Sequence, residues 1–195
     1  MIAGIAVVIA VGIILLVRYD IIPTSFSYRF ARIKAWMDPE SYAANKGFQT
    51  LQALYAIGSG GIFGKGLGES MQKMGFIPEA QNDMIFSIIC EELGFVGAIG
   101  ILVLFVLLIL RGYWIAIHAR DRFGTLVAAG LTTKLAIQVF FNIGVVTGLL
   151  PPTGISLPFF SYGGTALLLQ LFEMGVILAV SRWCVNKDSL GRAKS

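Results

Sequence analysis

Met84-Ile-Phe-Ser-Ile-Ile-Cys-Glu-Glu-Leu-Gly-Phe-Val-Gly-Ala-Ile-Gly-Ile-Leu-Val-Leu-Phe-Val-Leu-Leu-Ile-Leu110 carries only two charges, Glu91 and Glu92, both in its first third. A helix crossing bilayer hydrocarbon needs about 20 predominantly apolar residues. This stretch reads as such a span, and three others resemble it. Met1 to Val17 is continuously apolar, at the short limit, and lacks the basic leader of a signal peptide. The third runs from Phe123 with Lys134 inside it, and the fourth reaches Val180 with Glu173 inside it.

The whole chain agrees. Of 195 residues, 56% are hydrophobic and 13% charged, and the mean hydropathy is +0.80. A soluble domain carries about 25% charged residues. Half that charge cannot cover a globule in water, so the composition excludes an ordinary soluble domain, a disordered chain and a nucleic-acid module. The net charge of +4 is scattered beside apolar segments rather than clustered, the pattern that orients helices in a bilayer. Cys90 and Cys184 are far apart in sequence and read as inert core thiols.

Basic residues set the expected topology. Arg111, Arg120 and Arg122 lie between the second and third spans, Arg182, Lys187, Arg192 and Lys194 lie in the tail, and 148–160 has neither Lys nor Arg. The positive-inside rule then places spans at 1–17, 84–110, 123–147 and 158–181. The extracellular loops are 18–83 and 148–157; the loop 111–122 and the tail 182–195 are cytoplasmic. The seven basic residues in the first outer loop do not overturn this, because segments beyond about 60 residues largely escape the rule. His118 reads as solvated in the cytoplasmic loop.

The long outer loop holds most of the polar chemistry. From Gly47 to Ile57, Phe48, Leu51, Leu54 and Tyr55 follow helical spacing. This predicts a short helix at the interface or across the bundle mouth. Gly58-Ser-Gly-Gly-Ile-Phe-Gly-Lys-Gly-Leu-Gly68 follows, with six glycines. It fails the phosphate-loop pattern at Ser59 and Gly66 and the dinucleotide pattern at Phe63 or Glu69. Two readings remain: a tight turn, or an anion-binding nest of backbone amides assisted by Lys65.

Asp83 stands at the outer mouth of the second span. At about 100° per residue, Ser87, Cys90, Gly94 and Gly97 share its face, and all are small. A carboxylate above such a lane suits close helix packing or a groove for a chain-like ligand; it could equally complement the helix dipole. Glu91 and Glu92 lie about 12 Å deeper, where ionisable groups are functional candidates. Lys134 and Glu173 fall at matching depths on consecutive antiparallel spans, and an isolated charge there is costly. They are expected to form a structural pair. Before the last span, Pro151, Pro152 and Pro158 interrupt the helix. Such backbone must be buried in protein or line a cavity.

These segments resemble the SEDS family of shape, elongation, division and sporulation proteins (FtsW, RodA, SpoVE). The resemblance rests on Asn142 and on Gly148-Leu-Leu-Pro-Pro-Thr-Gly-Ile-Ser-Leu-Pro-Phe-Phe-Ser-Tyr-Gly-Gly-Thr-Ala166. A second block, Gly58 to Gly97, includes Pro78-Glu79, Asn82-Asp83 and Glu91-Glu92-Leu-Gly94. The wording from Gly66 to Lys73 is closer to the FtsW and SpoVE branch.

The resemblance implies an all-α polytopic membrane protein, four transmembrane helices with a large extracellular loop containing short helices. These correspond to the last four of about ten, so the chain is a fragment or a shortened member of the fold. It implies a peptidoglycan glycosyltransferase that polymerises lipid II on the outer face of the bacterial cytoplasmic membrane during division or shape maintenance. The expected partners are a class B penicillin-binding protein supplying the transpeptidase and other divisome or elongasome membrane proteins. The family's essential acidic residue maps onto Asp83, expected as general base of an inverting transfer and as a ligand to a divalent cation such as Mg or Mn. Lys65, Gly66, Gln72, Glu91, Asn142, Ser161 and Tyr162, all within the matching blocks, are the candidate substrate-binding residues. A lipid II flippase and a non-catalytic scaffold are the alternative functions.

Overall fold

The computed structural model describes residues 33, 35–38, 47–70, 82–182 and 184. Among these the regular structure is helical, without strands: α1 (Gly47–Gly60), α2 (Ile85–His118), α3 (Arg122–Val146) and α4 (Gly164–Arg182). The last three are long and apolar enough to cross a membrane. The expected span 1–17 lies outside the described residues, as do Gln72 and the tail beyond 184.

Helix α2 has 34 residues, about 50 Å of helix against a hydrocarbon core of about 30 Å. It therefore runs well past Leu110, where a loop is expected. A charge alone does not end a helix, and Arg111 is absorbed by stacking its guanidinium 4.3 Å over the Trp114 ring. Trp114 in turn stacks on His118, whose Nδ1 meets the Trp114 carbonyl at 2.9 Å. His118 is thus partnered within its own helix at an exposed contact, and the expected loop 111–122 shortens to 119–121. Asp121 then caps α3, its carboxylate accepting from the Gly124 N–H at 3.0 Å.

So short a connection makes α2 and α3 antiparallel neighbours. Their approach is close: a Cβ at Gly112 would stand 2.4 Å from Thr132 Oγ1. One apolar cluster gathers Met84, Phe86 and Ile88 with Val145, Val146, Leu157 and the α1 alanines Ala53 and Ala56. A second joins Ile115, Ala116, Ala128 and Ile177 near the other end. In lipid such contacts hold by van der Waals fit rather than by expulsion of water. Outward positions stay apolar, with Leu104 65%, Phe123 76% and Phe172 68% exposed; these are surfaces for hydrocarbon or for other helices.

The α2 axis breaks at Gly94, whose φ of 68° and ψ of −168° are not helical and belong to a region essentially reserved for glycine. A break frees carbonyls before it and amides after it, and the glycine-rich stretch satisfies both sets. Lys65 and Gly66 donate their N–H groups to the carbonyls of Glu91 and Glu92, each at 3.0 Å. Phe95 and Val96 donate to the carbonyls of Gly61 and Ile62 at 3.0 and 3.2 Å. The contact is backbone on backbone: a Cβ on Gly64 would stand 2.2 Å from the Glu92 carbonyl oxygen, and one on Gly60 would stand 2.0 Å from that of Cys90.

Between α3 and α4 the chain is irregular. Gly148 (φ 75°) ends α3, and its carbonyl accepts from Trp36 Nε1 at 2.7 Å. Gln138 Nε2 donates to the Ser156 carbonyl at 3.0 Å, Ser161 Oγ accepts from the Leu157 N–H at 2.7 Å, and Gln170 Oε1 accepts from the Phe159 N–H at 2.8 Å. Side chains thus do what a helix ladder would have done. The expected span from 158 starts as helix only at Gly164, because Pro158 has no N–H to give and Phe159 is left-handed (φ 65°).

Candidate functional site

Asp83 lies just before α2, half-buried, and Met84 rather than Asp83 takes the N-cap position. Two residues from distant segments hold it. Gln49 Nε2 of α1 lies 3.4 Å from its Oδ1, and Asn142 Nδ2 of α3 donates to its main-chain oxygen at 2.8 Å. The same amide nitrogen donates to the Ile155 carbonyl at 2.8 Å. Asn142 is buried, so Asp83, α3 and the irregular segment before α4 share one anchor. Asn142, expected to touch substrate, supports the backbone around Asp83 through its Nδ2. Gln49 was not among the expected site residues; its one legible sign was a polar position opposite the apolar face of that helix.

The lane of small residues below Asp83 receives protein. Ser87, Cys90 and Gly94 are buried, and Gly60 of α1 rests on the Cys90 carbonyl. Helix α1 meets Asp83 through Gln49 at its start and Cys90 through Gly60 at its end. It therefore runs beside the first turns of α2 in the same direction. Of the two readings of that lane, close packing is the one the structure adopts.

Glu91, expected as a substrate-binding residue, is engaged by protein groups. Its side chain is fully buried, and its carboxylate accepts from Lys65 Nζ at 2.6 Å, Ser70 Oγ at 2.5 Å and Ser59 Oγ at 3.2 Å. A buried carboxylate is tolerable only when so paired. Lys65 and Gly66, expected as parts of an anion nest, are committed to Glu91 and to the Glu92 carbonyl. The amides of the glycine stretch thus close a helix break. Ser59 and Ser70 were not among the expected site residues, since a serine carries no signal of this kind until the fold brings a carboxylate to it.

Ser161 and Tyr162 face a groove of about 680 Å³ between the first half of α2 and the start of α4. Ile85, Ile88, Ile89, Phe159, Phe160 and Leu167 make its apolar wall, and Glu92, Gly163 and Gly164 complete it. Glu92 Oε1 is buried there without a hydrogen-bond partner. Away from this site, Lys134 Nζ and the Glu173 carboxylate form an ion pair joining α3 to α4. Among the described residues, no group of three or more His, Cys, Asp or Glu side chains could hold a metal ion.

A bundle of apolar helices with a break in α2, an irregular segment before α4 and a carboxylate just before α2 is the build of a polytopic membrane protein. Residues 1–185 match the FtsW/RodA/SpoVE family model, described as a cell cycle protein, and the chain belongs to that family. It is 50% identical over 181 residues to stage V sporulation protein E of Bacillus subtilis, covering 93% of this chain and 50% of that protein. It is 51% identical over 154 residues to a probable peptidoglycan glycosyltransferase FtsW of Geobacter metallireducens, covering 79% and 41%.

The peptidoglycan glycosyltransferase MrdB of Escherichia coli is 40% identical, over 91% of this chain and 47% of its own length. The higher identities to the sporulation and FtsW proteins agree with the branch read from Gly66 to Lys73. This chain spans about half the length of these relatives. Among solved structures, a peptidoglycan synthase complex described as coordinating polymerization and crosslinking superposes with a TM-score of 0.67 at 28% identity, over 92% of this chain and 48% of the matched one. The rod shape determining protein RodA of Thermus thermophilus gives 0.52 at 37% identity, over 69% and 40%.

Proposed function

We propose that this chain carries the catalytic carboxylate of a peptidoglycan glycosyltransferase that polymerises lipid II during cell division or shape maintenance. The observation that carries the reading is Asp83 itself, partly exposed at the mouth of α2 and steadied by Gln49 and Asn142. In the proposed step Asp83 takes the proton from an acceptor sugar hydroxyl. The hydroxyl oxygen bonds to the anomeric carbon of the donor, and the bond to the lipid pyrophosphate breaks with inversion at that carbon. The proton then passes to water.

The groove supplies complementary surroundings. Its isoleucine and phenylalanine wall suits a polyprenyl chain, while Ser161, Tyr162 and the positive N-terminal end of α4 suit the anionic linker. A divalent cation, Mg or Mn, would find one carboxylate at Asp83 and take its other ligands from pyrophosphate and water; the step above runs through no metal. The excess of arginine at the opposite end, Arg111, Arg120, Arg122 and Arg182, orients the Asp83 end outward. A class B penicillin-binding protein is the proposed transpeptidase partner, alongside other divisome or elongasome proteins.

The test is lipid II polymerisation by the full-length protein with its penicillin-binding partner, comparing wild type with Asp83→Asn. A general base contributes about 10²–10⁴-fold, so the variant should lose polymer by that factor while keeping the wild-type melting profile in detergent. Polymer at the wild-type rate would overturn the assignment. Movement of labelled lipid II across liposomes without glycan product would favour a flippase instead.

A further inference from the structure

Lys65 and Glu91 do not face the groove; the fully buried Glu91 carboxylate lies in a polar pocket assembled from three segments, and the Lys65 side chain, 35% exposed, closes it from outside. Ser59 comes from α1, Lys65 from the glycine stretch, Ser70 from the end of that stretch, and Glu91 from α2. Glu91 lies two helical turns beyond Asp83, about 12 Å at 1.5 Å per residue, and three residues before the break at Gly94. The direction of the short first half of α2, from Ile85 to Leu93, is therefore set at one end by this pocket. At the other end it is met by the contacts of Gln49 and Asn142 to Asp83. The four backbone hydrogen bonds across the break fix the same joint.

We propose that Lys65 is a positioning residue for the transfer reaction: its ion pair with Glu91 locks the glycine stretch into the α2 break and so aims the helix segment that begins at Asp83. This rests on the reading of Asp83 as the base. The physical reason is that the backbone bonds alone leave a buried carboxylate, and an uncompensated buried charge is strongly destabilising locally. Without the ion pair, whether Glu91 is left in place or replaced as well, the stretch loses its side-chain tie to α2 and lifts from the break, and Asp83 shifts. Misplacement of a catalytic group by about 1 Å costs about 10²-fold in rate. The loss falls on kcat in this proposal, because the Lys65 Nζ is held by Glu91 and Lys65 does not line the groove.

The experiment measures lipid II polymerisation kinetics of the full-length protein with its partner. It compares wild type, Lys65→Met, Lys65→Arg and the double variant Lys65→Met/Glu91→Met, with Asp83→Asn in the same assay. Lys65→Met should lower kcat about 10–100-fold with KM within twofold, and Lys65→Arg should restore kcat to within about threefold, since an arginine keeps a charge for Glu91. Amide hydrogen exchange at Phe95 and Val96 should speed up in Lys65→Met and return to normal in Lys65→Arg. The double variant, which buries no charge, folds even where Lys65→Met does not, and it should still show the kcat loss.

A raised KM with kcat unchanged would make Lys65 a substrate contact and overturn the proposal. So would full activity in the double variant, or kcat loss with exchange at Phe95 and Val96 unchanged. An active Asp83→Asn control would instead remove the base assignment, separating that failure from this one.

Discussion

Asn142 binds the Asp83 main chain with the same amide nitrogen that binds Ile155, both at 2.8 Å. One buried side chain on α3 thus ties the mouth of α2 to the irregular segment that precedes α4. Two carbonyls pointing at one donor can be neighbours only while that donor is present.

Replacing it has a graded expectation. Asn142→Ala leaves both carbonyls short of a donor and should cost about 1–3 kcal/mol, read as a lower melting point in detergent. Asn142→Asp sets an acceptor against two acceptors and should cost more at neutral pH. Both should reduce polymerisation beyond their effect on the folded fraction, because Asp83 is released. Equal stability of Asn142→Asp and wild type would contradict the geometry.

The glycines divide into two groups by what surrounds them. Gly60→Ala, Gly64→Ala and Gly94→Ala each drive a methyl to 2.0–2.2 Å from backbone atoms, and two of the three positions also have positive φ. Each should cost about 3 kcal/mol or more. Gly58 has nothing within 4 Å and lies inside α1, so Gly58→Ala should be neutral or stabilise by up to about 1 kcal/mol. Thermal unfolding of the four variants side by side checks the contrast.

For the Lys134–Glu173 pair, a double-mutant cycle is the measurement. The lysine side chain is 55% exposed and the glutamate 18%, so removing the lysine strands the more buried charge. Lys134→Met should destabilise more than the double variant Lys134→Met/Glu173→Leu. The coupling should be about 0.5–2 kcal/mol, the range found for polar pairs between membrane helices. Strictly additive single effects would mean that the contact carries no energy.

Gln170 is one of only two buried residues on α4, and its Oε1 takes the Phe159 N–H. Gln170→Leu keeps much of the bulk and removes the acceptor. It should cost about 1–3 kcal/mol and speed amide exchange at Phe159, where the left-handed backbone has lost its tie. Gln170→Glu keeps an acceptor and should protect that amide better than leucine does.

Membrane insertion, the helical class, the pairing partners Lys134 and Glu173, and the place of Asp83 just before the second span could all be read along the chain. These depend on composition, on the number of apolar residues in a row and on charge at a given depth, which are properties of single segments. The glycine stretch could not be read in this way. Its composition suits an anion nest as well as a turn, and only the arrival of the broken α2 shows that its amides are spent on the Glu91 and Glu92 carbonyls. The same holds for Ser59, Ser70 and Gln49, whose partners lie 32, 21 and 34 residues away. Helix ends moved as well: α2 ran on past Arg111 because aromatic stacking absorbed the charge, and α4 started late because Pro158 and left-handed Phe159 cannot continue a helix, with Gln170 taking the Phe159 amide. Hydropathy places an element in the bilayer, but hydrogen bonds between distant residues decide where it stops and which polar groups remain free for chemistry.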